Sequence, residues 1–121
     1  MYPATLNSEG IAKPNRCQMD KIAGLKEILK LDPANSFARY GLAMELAGRG
    51  ETEAAISEFD TLLANDSGYT AGYFMAAQTL ASAGRTQEAI ARLRAGIESA
   101  EHSGNRHAAS EMQAMLDELE R

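Results

Sequence analysis

Gly50-Glu51-Thr52-Glu53-Ala54-Ala55-Ile56 returns thirty-four residues later as Gly84-Arg85-Thr86-Gln87-Glu88-Ala89-Ile90. The correspondence continues outward in phase. Phe59 aligns with Leu93 and Leu63 with Ile97; upstream, Leu42 aligns with Ala76, Ala43 with Ala77 and Leu46 with Leu80. One more step back places Ile22, Leu25, Ile28 and Leu29 opposite Ile56, Phe59, Leu62 and Leu63. A fixed period of this length marks a repeat architecture, in which each unit buries its apolar face against the next.

Each piece of the repeat has a physical reading. Between 36 and 48 the apolar residues Phe37, Tyr40, Leu42, Ala43, Met44, Leu46 and Ala47 cover much of a helix circumference, so this helix is covered on several sides. Gly48 and Gly50 permit the positive φ that ends it. Thr52 is read as the N-cap of the following helix. In 53–65, Ala55, Ile56, Phe59, Leu62 and Leu63 make one stripe at helical spacing, with Glu53, Ser57, Glu58 and Asp60 largely opposite. Ala55 and Ala89 are small where two helices cross closely. Asp32-Pro33 turns the chain, because a residue before proline is pushed out of helical geometry. The last apolar face, Ala108, Ala109, Met112, Met115, Leu116 and Leu119, belongs to a helix whose other faces are polar, as befits the end of an array.

These residues resemble the tetratricopeptide repeat (TPR) family over about 20–120. The second copy, with Tyr73, Ala76, Ala77, Leu80, Gly84, Ala89, Ile90, Leu93 and Gly96, matches the family pattern better than the first, where Arg39 stands at the opening aromatic position. Ser67 and Glu101 replace the two closing prolines. The resemblance implies an all-α fold, a right-handed α-solenoid of antiparallel helix pairs. Six helices are expected at 20–31, 36–48, 52–65, 70–83, 86–101 and 105–120. In domain terms these are a half repeat at 20–33, repeats at 36–67 and 70–101, and a capping helix at 105–120, all within a single domain over 19–121. Residues 1–18, with Pro3, Gly10 and Pro14, are expected to be a disordered tail, and Met19 is a candidate start of the protein proper.

The 121 residues suffice for one domain with a buried core. Net charge is −5, split into +2 over 1–31 and −7 over 32–121. That balance argues against nucleic acid, whose binders carry a basic stripe. The single cysteine, Cys17, cannot form an intrachain disulfide and points to a reducing, cytoplasmic setting. Ser67–Gly84 lacks charge but holds Ser67, Thr70, Gln78, Thr79 and Ser82, so it reads as a helix covered by protein and not as a membrane span.

No catalytic or metal constellation emerges, and no cofactor is expected. His102 and His107 lie five apart, off the three or four residue spacing of a helical metal pair. His107 and Ser110 share a helix face without a third group. The charge-rich stretch Glu51, Glu53, Glu58 and Asp60 reads as a solvated face, with an acidic docking patch as the alternative.

In TPR proteins ligand contacts come from the first helix of each pair. The resemblance carries that role to Phe37, Tyr40 and Met44, to Ala71, Phe74 and Gln78, and to Asn105, Ala108 and Met112. Each triple runs i, i+3, i+7 on one helix face. The positions that hold a carboxylate clamp in heat-shock chaperone adaptors are Tyr40, Met44, Met75, Asn105 and Ala109, so that reading is rejected. An apolar groove suits an apolar helix or extended segment of another protein. Phe37 and Phe74 also fit core packing. The alternatives are a homodimer, a subunit of a larger assembly and, remotely, a small helical enzyme.

Overall fold

The computed structural model describes residues 16–121 as six α-helices: α1 (Arg16–Leu31), α2 (Ser36–Gly48), α3 (Thr52–Asn65), α4 (Thr70–Ser82), α5 (Thr86–Ser103) and α6 (Arg106–Leu119). Each packs on its neighbours in sequence, and α2 touches α4 as α4 touches α6. This is a stack of antiparallel pairs, α2/α3 and α4/α5, with α1 at one end and α6 capping the other. The expected tail at 1–18 lies outside the described residues as far as position 15; α1 begins at Arg16, ahead of the expected 20.

Two kinds of turn alternate. After α2 and α4, Gly50 and Gly84 take φ of 78° and 80°. The N–H of the next residue reaches back to the last turn, Glu51 to the Leu46 carbonyl at 3.0 Å and Arg85 to the Leu80 carbonyl at 2.9 Å. This left-handed glycine closure satisfies orphan carbonyls at the helix end. Gly104 repeats it after α5, with φ 79° and Asn105 N–H on the Ala100 carbonyl at 2.8 Å. Gly48, by contrast, is the last residue of α2. The other turns start at Asp32 and Asp66, whose carbonyls accept from Asn35 and Tyr69 N–H at 3.1 Å each.

Thr52 does not cap α3: it is the first helical residue, and Glu51 at the cap position makes no side-chain hydrogen bond there. The side-chain caps are Asn35 and Asn105, which accept from Ala38 N–H at 2.9 Å and Ala108 N–H at 3.1 Å.

The core is one cluster in which Phe59, Leu62, Leu80, Leu93 and Met112 are the largest fully buried side chains. Each stabilises the fold by about 1.5–3 kcal/mol relative to exposure. Ala43, Ala55, Ala77 and Ala89 are fully buried, as close crossings within α2/α3 and α4/α5 demand. Gly96 goes further: a Cβ there would lie 2.6 Å from the Tyr73 Cβ and 2.5 Å from the Met112 Sδ. It lets α5 lie tightly between α4 and α6.

Candidate functional site: the face of α2, α4 and α6

The first helices of successive pairs lie side by side, and a cleft of about 320 Å³ opens across them. Tyr40 from α2, Ala71, Phe74 and Met75 from α4, and Ala108 from α6 form its walls, with Met112 as floor. Asn105, Thr70, His107 and Glu111 edge it. Tyr40 is fixed from behind: its ring meets Phe59 edge-on at 6.3 Å and lies 5.3 Å from Tyr69. Burial, then the neighbouring Tyr69, raise the Tyr40 phenol above its ordinary pKa; burial, then Asp66, do the same for Tyr69. Both phenols stay neutral at physiological pH, and the wall stays uncharged.

A second cleft, about 360 Å³, runs between the C-terminal halves of α2 and α4. Met44, Gln78 and Thr79 line it, and Met75 belongs to both clefts. No charged side chain lines this second cleft. The charge-free run of α4 thus becomes the floor of a face and not a membrane span; among the described residues no helix is long and apolar enough to cross a membrane.

The nine expected groove residues separate. Tyr40, Ala71, Phe74, Asn105, Ala108 and Met112 meet in the first cleft; Met44 and Gln78 lie in the second. Phe37 lines neither and is 78% exposed, so it is not core. Phe74 is half-buried at the cleft wall. Met112 is only 1% exposed, so it supports the cleft from below more than it offers a surface. The reason is a register change. With Glu101 in place of a closing proline, α5 continues to Ser103, and α6 starts thirty-six residues after α4. Asn105 therefore becomes the cap of α6, and Met112 turns toward Gly96. Counting those two extra residues brings His107 to the position of Ala71, which sequence reasoning missed.

The acidic stretch on α3 is not a bare patch. Glu53 pairs with Arg85, Asp60 with Arg92, Glu58 with Arg39 at 2.7 Å and Glu51 with Arg49 at 3.1 Å. Arg39, out of place against the family pattern, also donates to the Pro33 carbonyl at 2.9 Å and so braces the first turn. His107 faces solvent and reaches Glu111 at 3.4 Å. A hollow of about 420 Å³ beside α5 holds Ser99, Ser103, His102 and Glu98. Three of its hydroxyls bond to backbone: Ser99 and Tyr73 donate to the Ser67 carbonyl at 2.8 and 2.9 Å, and Ser103 to that of Ala100. Among the described residues no three His, Cys, Asp or Glu side chains gather as metal ligands would.

The described fold is similar to the tetratricopeptide repeat domain protein of Salinibacter ruber, at 30% identity and TM-score 0.68, covering 74% of this chain and 90% of that one. It is similar in fold to SycD, the type III secretion translocator chaperone of Yersinia enterocolitica, at 20% identity and TM-score 0.75, over 86% of this chain and 72% of that one. It is likewise similar in fold to PcrH, solved in complex with the chaperone binding region of PopD, at 18% identity and TM-score 0.77, over 85% and 78% of the two chains. No protein-family model and no curated protein sequence matches the chain. The thirty-four residue period, the alternating glycine and aspartate turns and the identity to the Salinibacter domain agree: this chain belongs to the tetratricopeptide repeat family.

Proposed function

We propose that the chain is a non-catalytic interaction module that holds an apolar helix or extended segment of another protein on the face of α2, α4 and α6. The observation that carries this reading is the first cleft, walled by Tyr40, Ala71, Phe74, Met75 and Ala108 with no lysine or arginine among its lining. Such a surface gains from burying apolar side chains and lacks the lysine and arginine of a carboxylate clamp. Met44 and Met75 add adaptable walls for a ligand of irregular shape. SycD is described as a chaperone, and PcrH was solved with a segment of PopD, which supports partner binding by this architecture. A reducing, cytoplasmic setting fits the lone cysteine.

The test is to pan a random peptide library on the full chain and to map the selected peptides by amide chemical shifts. Ala71 is exposed, so Ala71→Arg places a charge in the cleft without disturbing the core. Selected peptides are expected to share apolar anchors, to shift α2, α4 and α6 resonances, and to lose about tenfold or more in affinity, about 1.4 kcal/mol, on Ala71→Arg. Peptides that bind the variant equally well, or that map to α3 and α5, refute the assignment.

A further inference from the structure

The three exposed large apolar side chains among the described residues, Ile28, Leu31 and Phe37, all lie at the α1–α2 corner. Phe37 corresponds to Ala71 of the binding face. Ile28 and Leu31 belong to α1, which among the described helices packs on α2 alone. The repeat shows what is missing. Ile28 corresponds to Leu62, which is 1% exposed under neighbouring helices, whereas Ile28 is 44% exposed and Leu31 90%.

A further repeat would not fill this gap in the ordinary way. The partner of each second helix crosses it at a fully buried alanine, Ala55 or Ala89, and α1 carries Lys21 there. The uncovered stripe instead runs Lys21, Gly24, Ile28, Leu31, at steps of three, four and three that align along one side of a helix. Gly24 is exposed, a Cβ there would meet nothing within 4 Å, and glycine inside a helix costs about 1 kcal/mol relative to alanine. Among the described residues nothing uses that gap.

We propose that this stripe is the seat of a second copy of the same chain, with the two α1 helices antiparallel about a two-fold axis level with residue 26. The stripe is complementary to itself when reversed. Ile28 of each copy enters the space over Gly24 of the other. Lys21 of each copy lies along Leu31 of the other, apolar stem on apolar side chain. Its ammonium then reaches Asp32 of the other copy, an exposed acid just past the end of α1. Lys21 already pairs with Glu45 at 3.3 Å while remaining largely exposed, so it can serve both carboxylates. Glu27 and Lys30, at 3.0 Å, pair within their own helix and need no partner across the axis. An isologous contact of this kind closes on itself and gives a dimer, not a fibre. One helix pair buries less than about 1,200 Å², so association falls in the micromolar range.

Sedimentation velocity of the full chain from about 5 to about 500 μM tests the proposal. The expected result is a monomer–dimer equilibrium that Gly24→Gln and Ile28→Lys each weaken at least about tenfold, while melting at the lowest concentration is unchanged or higher for Gly24→Gln. In a Cys17→Ser background, a Gly24→Cys chain mixed with an Ile28→Cys chain should form the mixed disulfide ahead of either homodimeric one. A wild-type chain that stays monomeric throughout, or a dimer indifferent to both stripe substitutions, overturns the proposal. Preferred crosslinking of position 24 to its own symmetry mate means a parallel pair and overturns it equally.

Discussion

Gly96→Ala and Gly24→Ala are the same chemical change, and the structure assigns them opposite signs. Both glycines lie within helices, so each alanine gains about 1 kcal/mol of helix propensity. At Gly24 nothing opposes that gain, since the new methyl meets no atom within 4 Å. At Gly96 the methyl would fall 2.6 Å from the Tyr73 Cβ and 2.5 Å from the Met112 Sδ, against a comfortable carbon contact of about 3.5–4.0 Å. Met112 can swing its sulfur only within a closed core, because it is fully buried. The Tyr73 Cβ is one bond from the α4 backbone, so α4 and α5 must separate by about 1 Å. Overpacking of this kind costs about 1–3 kcal/mol, and a clash on both flanks of α5 belongs at the upper end. After the propensity gain, Gly96→Ala should lose about 2 kcal/mol and about 8 °C in melting temperature. Gly24→Ala should gain a few degrees. Thermal and urea melts below about 1 μM, under the association range of the proposed dimer, read both numbers. If Gly96→Ala melts at or above wild type, α5 does not lie as close to α4 and α6 as described, and the packing argument fails.

Three further outcomes follow from the same structure. Ala89→Arg must force an arginine into a fully buried helix crossing and should cost more than about 2 kcal/mol; a near-wild-type melt would contradict the repeat register. Gly84→Val places a β-branched residue at φ 80° and should destabilise by about 1–3 kcal/mol in urea titration, although its side chain has open space, so only the backbone can be responsible. Tyr40 and Tyr69 hold their protons more tightly folded than unfolded, so their contribution is complete below about pH 10 and is lost as pH rises through the folded values. Tyrosinate absorbance should show a late component that Tyr40→Phe reduces; a titration identical with and without Tyr40 would count against the buried wall.

Much of the scaffold was legible because each repeat encodes its own helix ends. The glycine at positions 50 and 84 must adopt a conformation that other residues resist, and the alanines at 55 and 89 must be small, so composition and geometry coincide there. A period of thirty-four, extended past the last closing position, places the end of α5 at 101, two residues short of Ser103. Glu101 continues a helix that proline would have stopped, and Gly104 was the true terminator. Those two extra residues also displace the third groove triple, turning Asn105 into a cap and Met112 into core. The Thr52 cap failed for a different reason. The glycine turn itself joins the two helices, and the residues at the cap positions, Glu51 and Arg85, are drawn into ion pairs. No local pattern announces that Gly96 receives Met112 and Tyr73, because that fit exists only once three helices are assembled.

The two ends of the stack are finished differently, and the difference ties the proposed dimer to the proposed binding face. At the far end, α6 turns Gln113, Asp117 and Glu118 outward, and Gln113 donates to Asp117 at 2.9 Å, so its outer face is largely polar. At the near end, α1 leaves Ile28 and Leu31 bare. Because α1 packs, among the described helices, on α2 alone, a contact through α1 leaves the α4–α6 cleft of both copies uncovered. The dimer would then carry two apolar clefts on opposite arms. A partner displaying its binding segment twice would be held far more tightly than either cleft alone could manage, provided its spacing spans the pair. Gly24→Gln would remove that gain while leaving the affinity for a single segment intact, which separates avidity from any change in the cleft itself.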